Sequence, residues 1–428
     1  MNNRFQLIIT LIFGFFIVVG VIVFSMSRDT TTKPENNVLV WGIISESGFS
    51  TMLREHSIGK SKEFNITYTQ KRAGTFDQEF IEALAEGKGP DIIFLPHDSI
   101  WKHQNKIFPI PFQSFSERKF KDTFVEEGEL YLTSQGILGL PILIDPLVMY
   151  WNRDIFSNAS ISKAPEYWDE FFDLAQKLTK KDQSFNITES AVSLGEFRNI
   201  NNAKEILSAL IMQAGSPITV RTREVPTVVL NERLGQSLIP SEAAVNFYTE
   251  FSNPIKLFYS WNRSLPRSDN FFTSGDLGIY FGFASEFSQI KEKNPNINFD
   301  VAAFPQSRES ETKITYGRMQ ALSIVKNSKN IVSAIKVALA LSDKEHSAAI
   351  SALGKLPPVR RDLLSRAPSD AYSVLFYQGA LWSRAWIDPD STSTENIMQN
   401  MIESITAGRL RTSQAISRAH AEIQELFK

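Results

Sequence analysis

Alternating strand and helix signals, nearly unbroken apolar strand runs and roughly 390 residues of globular body predict an α/β protein with a mainly parallel sheet and two lobes. Val38–Ile44 (VLVWGII) reads as a strand buried on both faces, and Phe64–Thr69 as a second, β-branched and alternating strand. Phe76, Phe80, Ala83 and Leu84 fall at helical spacing, with Gly87 and Gly89 as the stop. Asp91–Leu95 is the third strand, ended by Pro96.

Further along, Gly136–Asp154 reads as two short apolar strands split by Asp145-Pro146. Pro165, Trp168, Phe171, Phe172, Ala175 and Leu178 mark an amphipathic helix with acidic residues early, as the helix dipole favours. Helical patterns return at 204–214 and 242–251, strands at 271–285, 298–305 and 318–325, and helices at 331–341 and 397–427, the last interrupted at Gly408.

Before the body comes an apolar run. Leu7–Phe24 (LIITLIFGFFIVVGVIVF) has Thr10 as its one clearly polar residue. As a helix it would span about 27 Å, close to the hydrocarbon thickness of a bilayer. Arg4 and the terminal amine favour the cytoplasmic side, which puts the body outside. A cleaved signal peptide is the alternative; the run is long for one, and no Ala-x-Ala site follows it. The expectation is therefore a signal-anchor segment over 1–27, a polar tether over 28–37, and a cell-membrane protein with its body on the extracytoplasmic side.

Composition excludes several chemistries. The chain has no cysteine, so disulfides, thiol catalysis, cysteine-ligated metals and a lipid-modified N-terminal cysteine are ruled out. With 45 basic and 47 acidic side chains and no like-charge block, no nucleic-acid surface is indicated. No G-x-G-x-x-G, G-x-S-x-G or H-E-x-x-H motif occurs, and the five histidines are scattered. Asp388, Asp390, Thr392, Thr394 and Asn396 alternate as in a calcium loop, but the central glycine is missing and Gln399 stands where a glutamate is needed. That stretch reads as a solvated turn before a helix. The expectation is a non-enzyme with neither metal nor cofactor, although a carboxylate pair meeting only in space would escape notice.

In such sheets ligands bind beyond the carboxyl ends of the strands, which puts Ser45–Ser47, Arg72, Gly74, His97 and Asp98 on one rim. Several segments, in order, then resemble one family. They are Val38–Trp41, the run AEGKGPDII over 85–93, GLPILIDPLVMYWNRDIF over 139–156, PEYWDEF over 165–171, FTSGDLGIYFG over 272–282, LPPVR over 356–360 and Gly408-Arg409. Together they resemble the extracellular solute-binding proteins of ABC importers, in particular the sugar-binding, maltose-binding-protein-like branch. Tyr167 departs from the threonine usual there, and 181–235 does not align.

The resemblance implies a type II-like periplasmic-binding-protein fold of two αβ lobes joined by three hinge crossings. These would fall near Val148–Tyr150, Phe281–Phe283 and Gly317–Met319. The lobes would be 38–148 plus 282–316, and 149–281 plus 317–428. It further implies capture of a solute, most readily a sugar or oligosaccharide, for delivery to permease subunits, the anchor helix standing in for a lipid. Sugar rings present polar edges and apolar faces, so Trp41, Phe283, Tyr316, Trp382 and Trp386 are candidates for stacking. Glu46, Asp98, Asp145 and Glu286 are candidates for hydroxyl groups, with Arg72 on the rim and Tyr150 at the first crossing. Asp145 is the foremost single candidate. A glycoside hydrolase, or a sensor or adhesin without a transporter, are the alternatives.

Overall fold

The computed structural model describes residues 37–58, 64–221, 225–366, 368 and 370–428. The apolar run 7–24 therefore lies outside the described residues. Among those described, no helix is long and apolar enough to cross a membrane.

The chain opens with β1 (Asn37–Gly42), α1 (Glu46–Glu55), β2 (Asn65–Gln70), α2 (Phe76–Ala85) and β3 (Ile92–Pro96). β1 lies parallel to both β2 and β3, so the ends of all three point to one side. This is the predicted start, displaced by a residue or so. The two apolar runs around Asp145-Pro146 are not two strands. They form one strand, β4 (Leu140–Asn152), that changes neighbours halfway.

β5 (Ile187–Val192), α3 (Ala203–Gln213), β6 (Leu277–Phe283) and β7 (Phe299–Ala302) follow, and then the second long strand, β8 (Thr315–Val325). The sheet runs β2-β1-β3-β8-β4-β6-β5, with β7 also beside β4. Residues 140–146 of β4 pair with β8, whereas 147–152 pair with β6 and β7. The exchange falls at Pro146. Proline has no N–H to give a ladder, so a change of partner costs least there. Its carbonyl accepts from Ala284 N at 3.0 Å.

Two separate cores flank this exchange. One gathers apolar side chains from Val38 to Ile144, Met319 to Val325 and Ala334 to Leu364, together with Ala380. The other runs from Leu147 to Phe304 and adds Tyr316, Phe376 and the chain from Trp386 to Phe427. The lobe division expected from the sequence differs from this packing. Ala284, Ile290, Phe299, Val301 and Phe304 belong to the second core, not the first, and Met319–Leu364 belong to the first. Phe281–Phe283 is accordingly no crossing: Phe283 pairs with Leu147, and both belong to the second core. The chain passes between cores at 145–147, at 316–318 and again between Leu364 and Trp386, where α5 (Ala371–Trp382) touches both.

α4 (Ile331–Leu341) packs in the first core, while α6 (Ser391–Thr406) and α7 (Thr412–Glu425) pack in the second. The turn before α6 is capped by Asp390, which accepts from Ser393 N at 2.9 Å. It is not a solvated turn, because Asp388 within it is fully buried.

Candidate functional site

Side chains alternate along β8, so Tyr316 and Arg318 share one face and Gly317 faces the other. On the Arg318 face, Asp145 of β4 is its register partner. The guanidinium lies 3.8 Å from the Phe283 ring centre and donates to Glu205 at 2.5 Å and Asn202 Oδ1 at 3.3 Å. Asn202 begins α3 with φ +59°, a left-handed conformation that asparagine tolerates. Its Nδ2 donates to Glu286 at 2.9 Å, and Glu286 also accepts from Tyr280 Oη and Phe283 N. Asp145 accepts from Ser285 N at 3.0 Å. Side chains from the start of α3, from the turn after β6 and from both long strands thus converge on one polar floor.

The electrostatics follow from burial and pairing. Burial pushes Asp145 up to about 6. Burial also works against charge on Arg318 and Glu205, but their mutual attraction wins, raising Arg318 and lowering Glu205. Beside this floor, Lys204 Nζ meets Asp388 at 2.5 Å and donates to Ser391 and Thr394. Burial still holds Asp388 up at about 6 despite the lysine. A pocket of about 280 Å³ opens here on the second lobe, lined among others by Arg198, Asn202, Glu205, Arg267, Arg318 and Glu395.

The first lobe faces it with the end of β3. His97 is buried; its Nδ1 accepts from Met319 N at 3.1 Å, so Nε2 carries the proton toward Tyr316 Oη at 3.0 Å. Burial depresses its pKa, as expected for a neutral ring. Asp98 next to it is held low against its own burial by His97, Lys204 and the Ser391 hydroxyl. Lys102 reaches Asp390 at 3.4 Å, and Trp101 packs edge-on against Phe427 at 5.1 Å. The lobes are therefore in contact across the cleft.

The expected site residues divide into groups. Asp145 and Asp98 stand at the crossing and on the opposing lobe, and Glu286 holds Asn202 in place. Glu46 and Arg72 are exposed at the ends of β1 and β2, where Gln70 N donates to Glu46 at 3.3 Å. The aromatic candidates are not open faces. Trp41 is nearly buried, with Lys71 Nζ 3.8 Å above its ring, and Phe283 lies beneath Arg318. Tyr316 is buried against His97, and Tyr150 is a core residue whose hydroxyl donates to Phe283 O at 2.7 Å. Trp386 is buried and donates to Ser208 at 3.1 Å, while Trp382 ends α5 with Lys313 over its ring. In so phenylalanine-rich a chain, most large rings go to the cores.

Sequence reasoning missed Lys204, Glu205, Asn202 and Arg318. A signal existed for one: Arg318 is a lone charge inside an otherwise apolar strand run. The others sit at a helix start that no motif marks. Among the described residues, no group of three or more metal-ligating side chains gathers. Three larger cavities, about 610, 530 and 350 Å³, are elsewhere, lined in part by α5, by Arg384–Ile387 and by Phe247 with Arg308 respectively.

The comparisons agree with this architecture. Residues 60–345 match the family described as bacterial extracellular solute-binding protein, and the chain belongs to it. A Brucella abortus (strain 2308) protein described as a binding protein is 23% identical over 337 residues, covering 74% of this chain and 75% of its own. A cyclo/maltodextrin-binding protein complexed with maltotetraose superposes with TM-score 0.73 at 15% identity, covering 92% of this chain and 98% of that one. A cyclic α-maltosyl-1,6-maltose binding protein from Arthrobacter globiformis does so with TM-score 0.73 at 13% identity, covering 92% and 99%. An ABC transporter solute-binding protein from Thermotoga lettingae TMO, bound with α-D-tagatose, gives TM-score 0.67 at 16% identity, covering 92% and 100%. The fold is that of a two-domain α/β solute-binding protein.

Proposed function

We propose that the chain captures a sugar or short oligosaccharide between its two lobes and passes it to the membrane subunits of an ABC importer. The observation that carries this reading is the polar floor at Asp145, Arg318, Asn202 and Glu205, set where two separately cored lobes meet in a chain of this family. Its groups are held by one another before any ligand arrives, so little ordering cost remains to be met on binding. Sugar complexes among the structurally similar proteins support the ligand class.

The moving bodies in this proposal are 37–146 with 318–364, and 147–316 with 384–428. Each offers half a site, and a ligand touching both favours closure by its difference in affinity for the two arrangements. Asp145 and Asp98 would accept from ligand hydroxyls, and Arg318 would donate. Glu46 and Arg72 would act at the rim. Residues 7–24 would tether the body to the membrane, the short polar segment after them keeping the cleft within reach of a permease.

The test is a thermal-shift screen of the full chain in detergent against maltotetraose, mannotriose, tagatose, peptides and amino acids. A saccharide at a hundred times its Kd would stabilise by about 2.7 kcal/mol and raise Tm by a few degrees. A rise with peptides or amino acids, and with no saccharide, would overturn the ligand class.

A further inference from the structure

The cavity of about 610 Å³ is a groove walled by parts of 284–289 from the second lobe, by parts of 351–363 from the first, and by α5, which touches both cores. It begins beside the polar floor. Ser285 lines it, and the same residue donates its N–H to Asp145 at 3.0 Å. Gly354 lines it as well, and a Cβ there would stand 3.2 Å from Leu143 Cδ2. Leu143 precedes Asp145 by two residues in β4, so the two side chains share one face of that strand.

Groove and floor differ in what they leave free. At the floor, Arg318, Glu205, Asn202 and Glu286 are committed to one another, and the nearby Phe283 ring lies under the guanidinium. In the groove, Phe287 and Tyr372 are only half-buried, with ring centres 4.6 Å apart and planes tilted by 46°. Phe376 packs edge-on against Phe287 at 6.3 Å. Lys291, which is not part of the lining, lies over the Phe287 and Tyr372 rings at 4.7 and 5.6 Å. The ring pair is thus held in place before any ligand arrives, which lowers the ordering cost of binding. Beside it, among the described residues, the hydroxyls of Tyr372 and Tyr377 and the side chains of Ser288, Gln289 and Lys355 make no hydrogen bond or ion pair. Size separates the two places as well. Small-molecule sites usually enclose roughly 300–1,000 Å³, a range that holds the groove at about 610 Å³ but not the floor pocket at about 280 Å³.

We infer that the groove is a second saccharide seat: one sugar unit lies at the floor against Asp145, and the next passes Ser285 to stack on the Phe287–Tyr372 pair. The inference rests on the sugar-capture reading and extends it, since it makes the ligand a chain of at least two units. A pyranose ring has an apolar C–H face and a polar rim, and the groove supplies partners for both. The ring pair takes the face; Tyr377, Ser288, Gln289 and Lys355 take the hydroxyl groups. The floor alone supplies only the second kind of contact, so a single sugar unit forgoes the stacking.

Calorimetry on the full chain in detergent, with mannose, mannobiose and mannotriose and with glucose, maltose and maltotetraose, tests this directly. In the native chain, affinity should climb with length in at least one series. Tyr372→Ala should weaken its longer members by about tenfold while leaving the shortest member that binds within about twofold. Tyr372→Phe keeps the ring and should retain most of the affinity. Gln289→Trp, at an exposed position without a partner, fills the groove and should act like Tyr372→Ala; it also serves if that variant does not fold, as melting curves would show. Three results would overturn the seat while leaving sugar capture intact: native affinity that does not rise with length, a loss shared equally by the shortest member, or folded variants that bind every length as the native chain does. Binding of no saccharide at any length would overturn the capture reading and the seat with it.

Discussion

Two buried carboxylates lie close to the crossings in space, and the protein treats them oppositely. Asp388 is completely enclosed yet fully answered, by Lys204 Nζ at 2.5 Å, by the Thr394 hydroxyl at 2.9 Å and by Asp390 N at 3.1 Å. Glu127 is enclosed to the same degree, yet neither of its carboxyl oxygens has a hydrogen-bond partner. The first belongs wholly to one lobe: Lys204 starts α3 and Asp388 precedes α6, and both elements pack in the second core. The second lies on the seam between lobes. A polar group inside one rigid body can be satisfied once and for all. A group between two moving bodies can be satisfied in only some of their arrangements.

Breaking the answered pair should have the largest effect. Lys204→Met leaves Asp388 buried without its cation and should cost about 3–5 kcal/mol in chemical denaturation of the full chain. If the loss were under 1 kcal/mol, the pair would not be the structural element its burial implies. Next comes the floor. Asp145→Ala should weaken binding of whichever saccharide scores in the thermal screen by tenfold or more, read by calorimetry.

A pH series sharpens the same point. Burial raises Asp145 to about 6, so the folded protein binds this proton more tightly than the unfolded chain does. Its contribution to stability is therefore most favourable below the ordinary carboxylate range. It falls as pH rises toward 6 and is level above. If the carboxylate accepts from ligand hydroxyls, saccharide affinity moves the other way, dropping up to tenfold per unit below pH 6. Asp145→Asn should flatten that slope; an unchanged slope would assign the titration to another group. The smallest effect is expected at Trp382→Leu. That ring ends α5 under Lys313, away from the polar floor, and saccharide affinity should stay within about twofold.

Much of the cleft was legible because its parts follow strand ends. Asp98 follows β3 as the strand pattern indicated, and Asp145 lies in β4 beside the change of partner at Pro146, just before the crossing expected near Val148–Tyr150. The aromatic candidates were less legible, since a tryptophan reads the same whether it lines a cleft or fills a core. Trp386 and Tyr316 are buried, and the rings of Trp41 and Phe283 lie beneath Lys71 and Arg318. The lobe division misread 282–316 for a similar reason. Apolar alternation reports that a strand is buried, but not against which core.

The linear chain settled whatever depends on near neighbours: the parallel β-α-β opening, the helix over 331–341, the apolar run over 7–24 and the absence of thiol chemistry. Tertiary structure alone decided that β4 is one strand shared by two cores, that Lys204 meets Asp388 across 184 residues, and that the carboxyl oxygens of Glu127 are buried without hydrogen-bond partners. The reason is physical. Helix periodicity, turn chemistry and strand alternation act over a few residues. The partner of a buried charge is chosen by whatever the folded chain brings within about 3 Å of it, and no local pattern carries that information.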